Sequence, residues 1–502
     1  MPVLESRVAL AIVLALSAVS SGCSRPPRLA ADLIVTGANI WTGNPVQASA
    51  AAVAVIGERI VDVGSADQIE RWRGANTIVV DAGGRRLVPG FNDAQVRFFD
   101  GGADLEQVDL SDAATAGEFA RRINERARAR PGEWVLGGHW DERRWSPATL
   151  PARASIDEIT NSSPVFVVRF DGQMALANAA ALGRAGITEH TPDPPGGALV
   201  RDGNGFPTGV LQGAAMDMVA RVIPRTTPEQ RQHALKRALE QAESFGITSV
   251  QDLGATGEDI AAYADLANRD ELTVRVYAVL PEIGWYDQAK LGVRRAFGST
   301  WLRIGAVRAR LDRDHDGDAV RTRLIAADHA GLQLSVSAMN DAPSRATLDL
   351  LDDIARANGG RDRRFRIDRS RVARADGDRL ASLDVVLPLQ PGLIDVDAAA
   401  LVEKGLPVSL GSGWPSTSLN PMRTLDAAIT RGITVARALA ALTSGSAFAE
   451  FQDRDKGTIA RGQLADMVIL SDDVLTIPAA QVKDVRVLTT IAGGKVVHQR
   501  NP

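Results

Sequence analysis

The sequence predicts an α/β protein: a (β/α)8 TIM-like barrel with a small β-sandwich domain formed by both chain ends. Through the middle of the chain, apolar runs typical of strands alternate with helical stretches, a pattern that indicates a parallel sheet. Both ends instead carry short strand-like runs separated by glycine. The 502 residues suffice for one large barrel and a smaller domain, because α/β barrels regularly exceed the usual domain size.

The N-terminus carries the pattern of an export signal, predicted over residues 1–22 and followed by a linker over residues 23–30. Arg7 precedes the apolar run Val8–Leu16, which is too short to span a bilayer comfortably. Small residues then lead to Cys23, the single cysteine of the chain. This layout resembles a bacterial lipoprotein signal with Cys23 as the lipidation point. Ordinary signal cleavage and a retained membrane anchor are the alternatives, and each predicts an exported, periplasmic protein.

The two β-rich flanks predict one composite β-sandwich domain from residues 31–88 and 457–500. Alternating apolar residues between glycines are typical of short, half-buried strands. The strand-like runs are Leu33–Val35, Ala52–Val55, Arg59–Val63, Ile78–Val80, Ala465–Leu470, Val485–Ile491 and Lys495–His498. Because the two β-rich flanks enclose a long α/β middle, we expect the two chain ends to form a single small domain.

Residues 89–456 are predicted to form the barrel. Thr227–Phe245 has helical apolar spacing and leads directly into the next strand candidate. The strand candidates are Val165–Phe170, Gly246–Val250, Val274–Val279, Leu332–Val336, Val385–Leu387 and Pro407–Leu410.

Composition excludes several classes of partner. The formal net charge is -4, and no Lys/Arg run follows the signal segment, so nucleic acid and anionic membrane surfaces are not expected partners. Contact with a membrane is expected only through a lipid anchor at Cys23. Because this cysteine is alone, an internal disulfide is excluded.

The run Pro89-Gly90-Phe91-Asn92-Asp93, followed by Gln95 and Arg97, resembles the start of an amidohydrolase barrel. Further strings carry the same resemblance: Gly138-His139-Trp140-Asp141, Asp171-Gly172-Gln173-Met174-Ala175-Leu176-Ala177-Asn178, Asp193-Pro194-Pro195-Gly196-Gly197, Pro207-Thr208-Gly209-Val210-Leu211, Gly411-Ser412-Gly413-Trp414-Pro415 and Asn420-Pro421. Together they resemble amidohydrolase family 3, the YtcJ-like proteins, along nearly all of the mature chain.

The resemblance implies one or two divalent metals at the C-terminal ends of the barrel strands. Their ligands would be a His-x-His pair, a carboxylated Lys, two later His and an Asp that also acts as general base, with one more His near the substrate. All seven positions hold other residues here. In the same order they are Gln95, Arg97, Arg308, Ser337, Arg369, Gly413 and Gln173.

These replacements predict that the inherited metal-dependent mechanism is inactive, with no catalytic residue, metal or cofactor at this site. A guanidinium has no lone pair to offer a metal. Arg308 cannot be carboxylated as a lysine amine can, and Gly413 has no carboxylate to accept a proton from water.

Two interpretations of the arginines remain open. Arg97, Arg308 and Arg369, with Gln95 and Gln173, would converge where metals sit in the family. They could bind a small anionic ligand, since guanidinium groups hold carboxylate and phosphate bidentately. Alternatively, mutational drift replaced the ligands and internal Asp–Arg pairs neutralise them.

Three further residues are candidates for a ligand pocket: His139, Asp312 and Asp341. Asp93 and Asp252 are additional carboxylates expected nearby. Arg308 is predicted to be largely buried and paired with a carboxylate, because an uncompensated buried charge is costly.

Two functions follow. The first is an exported amidohydrolase-like protein that has lost metal binding and hydrolysis, a pseudoenzyme with an anion or small-molecule site. The alternative is a hydrolase acting on carbon–nitrogen bonds other than peptide bonds, with an active site rebuilt around His139, Asp312 or Asp341.

Overall fold

The structure, a computed structural model, describes residues 29–160, 163–311, 317–338, 343–368, 376–391 and 398–500. Cys23, Asp312, Asp341 and Arg369 lie outside these ranges, so their predicted roles are not addressed by the fold.

A parallel central sheet forms the middle of the molecule. In spatial order its strands are Arg366–Asp368, Gln333–Ala338, Leu302–Leu311, Arg275–Pro281, Ile247–Asp252 and Phe91–Val96. The short strand Phe297–Gly298 pairs antiparallel with Leu302–Leu311. All six residues of Phe91–Val96 and of Ile247–Asp252 are buried, which is expected of parallel strands covered on both faces.

A second parallel pair, Leu387–Leu389 with Val408–Leu410, lies beside both ends of the central sheet. On one side, Arg366 and Val386 form a parallel bridge. On the other, the backbone N–H of Gly413 donates to the carbonyl of Gln95 at 2.8 Å. The pair therefore contacts both outer strands of the central sheet, Arg366–Asp368 and Phe91–Val96.

Both chain ends contribute to two further sheets. The first contains Arg59–Gly64, Ala52–Ile56, Leu33–Thr36 and Ile78–Asp81; the second contains Lys495–Gln499, Val487–Ala492, Met467–Leu470, Arg86–Pro89, Asn39–Trp41 and Ser49–Ala50. Met467–Leu470 pairs antiparallel with Arg86–Pro89, so the two ends of the chain meet, as their β-rich patterns predict. One buried apolar cluster contains residues from both sheets, among them Val35, Val53 and Ile469.

A mixed sheet interrupts the segment predicted as barrel. This inserted sheet contains Gly197–Arg201, Pro207–Gly213, Met174–Ala177, Val165–Arg169, Val135–Trp140 and Val108–Asp109. The assignment of Val165–Phe170 to the barrel was therefore wrong. The chain turns back at Gly172, whose φ is +69°, and Met174–Ala177 pairs antiparallel with Val165–Arg169.

Helices cover these sheets and begin where the sequence offers caps. Thr227 caps Pro228–Ser244 through a capping box with Gln230, which confirms the helix expected from Thr227 to Phe245. The helices are Ala66–Glu70, Phe98–Leu105, Ala116–Ala129, Asp157–Thr160, Ala179–Arg184, Met216–Ala220, Pro228–Ser244, Gly257–Asn268, Trp285–Lys290, Gly317–His329, Pro343–Asn358, Gly377–Ser382, Ala398–Glu403, Pro421–Thr430, Val435–Ala441 and Ser444–Ala449. Among the described residues, no helix combines the length and apolar character needed to cross a bilayer.

Candidate functional site

A cavity of about 170 Å³ lies at the C-terminal ends of the central strands. We call it the central cavity. The polar side chains that line it are Gln95, Arg97, Arg308, Arg310, Gln390 and Ser416. Within the described residues, its wall contains no His, Cys, Asp or Glu. Arg310 and Gln390 are lining residues that the sequence motifs did not identify.

Gln95 is fixed at the end of Phe91–Val96 by contacts on both its side chain and its backbone. It is 1% exposed, and its Nε2 donates to Oδ1 of Asp368 at 2.9 Å. Gly411 packs directly against it, because a Cβ built at Gly411 would lie 2.6 Å from the backbone nitrogen of Gln95. The hydrogen bond to Asp368 and the close packing of Gly411 therefore hold Gln95 in place at the cavity wall.

The side chain of Arg308 contacts residues from either side of its strand in the central sheet. Its Nη1 donates to the carbonyl of Leu253 at 3.2 Å, and its Nη2 donates to Oγ of Ser337 at 2.9 Å. Its Nε lies 3.7 Å from Oδ2 of Asp368, and the side chain is 18% exposed. The prediction that Arg308 is largely buried and near a carboxylate is confirmed, and Asp368 is a partner that the sequence did not indicate.

Asp368 is a carboxylate that contacts both Gln95 and Arg308 and does not itself line the cavity. Its side chain is fully buried, and Oδ1 lies 3.7 Å from Nη2 of Arg366. Ser335 donates to its Oδ2 through a short hydrogen bond.

Arg97 stands at the rim, at the start of helix Phe98–Leu105. Its side chain is 48% exposed, and Nη1 lies 3.2 Å from Oδ2 of Asp100. Its backbone N–H donates to the carbonyl of Trp414 at 3.0 Å. The backbone position of Arg97 is therefore fixed while its guanidinium remains accessible to solvent.

Two buried amide oxygens at the cavity have no hydrogen-bond partner among the described residues. They are Oε1 of Gln95 and Oε1 of Gln390, and Gln390 is 4% exposed. Buried polar atoms without partners are uncommon and call for an explanation. A molecule bound in the central cavity would explain the two unpaired oxygens.

The profile of the amidohydrolase family matches residues 78–498. The chain belongs to this family. It is 31% identical to "Protein LONG AFTER FAR-RED 3" of Arabidopsis thaliana, over 94% of this chain and 92% of that protein. It is 24% identical to YtcJ of Bacillus subtilis, over 86% and 92% of the two chains. It is 25% identical to "N-substituted formamide deformylase" of Arthrobacter pascens, over 93% and 98%.

The fold of this amidohydrolase family member also resembles solved structures. An uncharacterized metal-dependent hydrolase from Pyrococcus horikoshii superposes with a TM-score of 0.73 at 20% identity, covering 89% of this chain and 99% of that one. This superposition confirms the predicted α/β class, whereas the profile match confirms the predicted family.

Four of the seven family positions meet at the central cavity: Gln95, Arg97, Arg308 and Gly413. Ser337 joins them as the acceptor of the Arg308 hydrogen bond. Ser337 thus contacts the cavity lining through Arg308.

Gln173 and His139 do not line the central cavity, contrary to their predicted convergence. Both lie in the inserted sheet or its turns, and both are exposed. His139 has a φ of +63° and follows two glycines with positive φ. It lies near Asp104 of helix Phe98–Leu105, where its charge would lower the carboxyl pKa that burial raises.

Asp93 and Asp252 support the loops around the site instead of neutralising its arginines. Burial raises the pKa of each carboxyl group to about 6. Asp93 accepts hydrogen bonds from the backbone N–H groups of Gln95 and Ser412, each at 3.0 Å. Asp252 accepts from the hydroxyl of Tyr263 at 2.8 Å.

Proposed function

We propose that this amidohydrolase family member binds a small anion in the central cavity and no longer performs metal-dependent hydrolysis. The observation that supports the proposal is the lining of that cavity. Arg97, Arg308 and Arg310 contribute guanidinium groups, whereas no described lining residue is a His, Cys, Asp or Glu.

The groups present do not fit a divalent metal. Zinc and similar ions need several lone-pair donors held in a fixed geometry. Here the described wall offers two amide oxygens among cationic side chains. In the described part of the chain, no group of three or more His, Cys, Asp or Glu is arranged so that it could hold a metal ion. Positive charge at the wall would oppose a cation further.

The cationic side chains of the wall suit an anion instead. A guanidinium carries a permanent positive charge and five N–H donors in a planar group that matches carboxylate and phosphate oxygens, and the wall contains three such groups. The amide of Gln390 can present its NH2 group, since the two orientations of a glutamine amide are nearly indistinguishable. The volume of about 170 Å³ is below the range of about 300–1,000 Å³ for organic ligands. The ligand is therefore of the size of phosphate, sulfate or acetate.

We infer that the central sheet and the pair Leu387–Leu389 with Val408–Leu410 close into the (β/α)8 TIM-like barrel of residues 89–456, interrupted by the inserted sheet. The Gly413–Gln95 hydrogen bond supports closure. The two sheets of the chain ends would then be the β-sandwich of residues 31–88 and 457–500.

Anion binding is tested by thermal melts of the full chain with phosphate, sulfate and acetate at constant ionic strength. Arg308→Met should abolish the stabilisation by anions. Arg303→Met is the matched control, because Arg303 lies on the same strand with the same 18% side-chain exposure but does not line the cavity. Anion stabilisation that persists in Arg308→Met would refute the proposal.

Metal content provides the second test. Protein expressed with added zinc, iron and manganese and then desalted should contain well under one equivalent of each metal by elemental analysis. One equivalent of metal that is released by Arg308→Met or Gln95→Ala would place a metal in the cavity and refute the pseudoenzyme proposal.

Hydrolysis of carbon–nitrogen bonds outside peptides is the second candidate, favoured by the similarity to the formamide deformylase of Arthrobacter pascens. N-formyl amines, simple amides and cyclic imides, with and without added metal, are the substrates to screen. Turnover lost in Asp312→Ala, Asp341→Ala or His139→Ala would establish a rebuilt active site.

We also propose export and lipidation at Cys23. The supporting pattern is the apolar run Val8–Leu16 followed by small residues and a single cysteine. Expressed in a bacterium, the wild-type chain should reach the membrane fraction with a lipid-sized mass increase on the Cys23 peptide. Cys23→Ser should lack that increase, and an unmodified Cys23 in a secreted, cleaved protein would support ordinary signal cleavage instead.

A further inference from the structure

A second cavity, of about 360 Å³, lies between the inserted sheet and helix Pro228–Ser244. We call it the lateral cavity. Its wall contains Arg126, Arg130, Arg184, Trp134, Leu136 and His233, among others. Clefts where separately packed units meet are frequent ligand sites, and this volume falls within the range of about 300–1,000 Å³ for organic ligands. The sequence motifs do not point to this region.

Arg126 supplies a cation at the lateral cavity that forms no close ion pair with a described carboxylate. It lies near the end of helix Ala116–Ala129 and is partly buried. Burial and the neighbouring charge of Arg130 lower the pKa of Arg126. Within the described residues it forms no ion pair, in contrast to Arg130, whose Nη2 lies 2.6 Å from Glu106. A partly buried arginine outside any close ion pair is a favourable site for an anionic ligand.

Trp134 and Arg184 form a flat surface beside that cation. The guanidinium carbon of Arg184 lies 5.6 Å from the centre of the Trp134 ring, a cation–π distance. Nε1 of Trp134 is buried and has no hydrogen-bond partner among the described residues. With Leu136, Ile223 and Pro224 also in the wall, the cavity has an apolar part next to its basic part.

Glu106 lies close to three basic side chains at or near the lateral cavity. Its carboxylate lies 2.6 Å from Arg130, 3.3 Å from His233 and 3.4 Å from Arg237. Glu106 thus lies close to three basic side chains, and its longer-range attraction to Arg126, together with that of Glu133, is outweighed by burial and by the charge of Arg130. The lining contains three arginines against two glutamates, Glu106 and Glu133, so the local charge is positive.

We propose that the lateral cavity binds a small aromatic carboxylate. The carboxylate pairs with Arg126, and the ring packs against Leu136, Ile223 and the Trp134–Arg184 surface. Neutral aromatic compounds lack the ion pair, and inorganic anions lack the apolar contact, so both bind more weakly. This site is separate from the central cavity, and its existence does not depend on the proposed function.

The test is calorimetric titration of the full chain with 1-naphthoate and with its neutral analogue 1-naphthamide. Arg126→Gln should weaken naphthoate binding about tenfold or more, the effect of losing one charge-assisted contact. Arg126→Lys keeps the charge and should weaken it less. Arg128→Gln is the matched control, since Arg128 is exposed on the same helix and does not line the cavity. Circular dichroism of each variant checks that it folds.

Three results would overturn the proposal. The first is the absence of naphthoate binding to the wild-type chain, and the second is equal affinity for naphthoate and naphthamide. The third is naphthoate binding that survives Arg126→Gln but is lost in Arg308→Met, which would assign the ligand to the central cavity. Binding unchanged in Arg308→Met and weakened in Arg126→Gln supports the lateral site even if the central cavity binds nothing.

Discussion

Gln95 and Asp368, 273 positions apart in the chain, are joined by a buried hydrogen bond of 2.9 Å between Nε2 and Oδ1. The bond connects strand Phe91–Val96 to strand Arg366–Asp368 at the level where the family resemblance implies metal ligands. A side-chain amide and a carboxylate thus hold together strand ends in this chain. Arg308 approaches the same carboxylate at 3.7 Å.

Arg308→Met should lower the free energy of unfolding by about 1–3 kcal/mol, because two hydrogen bonds from a charged donor are lost and Asp368 loses a cationic neighbour. The loss is moderate since Asp368 retains Gln95, Ser335 and Arg366. Urea denaturation measures it, and a double-mutant cycle with Asp368→Asn isolates the pair. Unchanged stability would mean that Arg308 is solvated and that its place at the cavity is wrong.

Asp93→Asn should stabilise the protein at pH 7.5 and have little effect at pH 4. Burial raises the pKa of Asp93 from 3.8 to about 6, so the native state binds more protons than the unfolded state between these values. The stability due to the neutral carboxyl is complete below about pH 4 and is lost as pH rises through about 6. Asparagine cannot ionise, and its Oδ1 can still accept from Gln95 and Ser412.

The expected gain for Asp93→Asn at pH 7.5 is about 1–3 kcal/mol, allowing for relaxation of the buried site. Urea denaturation at the two pH values measures it. Asp484→Asn, at an exposed position, is the control and should give equal small effects at both. A gain at pH 4 as large as that at pH 7.5 would contradict the titration argument.

Gly413→Asp, which restores the family's Asp, should destabilise the protein by about 1–2 kcal/mol without producing hydrolysis. Gly413 has a φ of +80°, a conformation that residues with a Cβ rarely adopt. Gly413→Ala separates this backbone cost from the effect of the carboxylate. Turnover of N-formyl amines by Gly413→Asp with added zinc would show that the remaining wall can still hold a metal.

His139→Gly should be neutral or stabilising by up to about 1 kcal/mol, whereas His139→Val should destabilise by about 1–2 kcal/mol. The φ of His139 is +63°, which glycine adopts freely and β-branched residues avoid. The backbone just before His139 is closely packed, because Cβ atoms built at Gly137 and Gly138 would lie 2.5 Å and 2.2 Å from backbone oxygens. Thermal melts compare the two variants, and equal melting temperatures would refute the strain argument.

Local sequence patterns were sufficient to predict much of the site. Gln95, Arg97, Arg308 and Gly413 were identified as family positions from the resemblance of short sequence motifs, whose recognition does not depend on distant residues. The α/β class, the family and the pairing of β-rich chain ends followed from periodicity and motif order in the same way. The predicted closeness of Arg308 to a carboxylate followed from the cost of burying a charge.

Only the tertiary structure identified Asp368, Arg310 and Gln390 at the centre, and Arg126 with Trp134 at the lateral cavity. Their roles depend on which strands and helices become neighbours. The inserted sheet was missed for the same reason: Val165–Arg169 has the apolar composition of a barrel strand, and its neighbours were decided by the tight turn at Gly172. Residue type and spacing determine which segments form strands and which motifs they carry, whereas long-range packing determines which side chains face a common cavity.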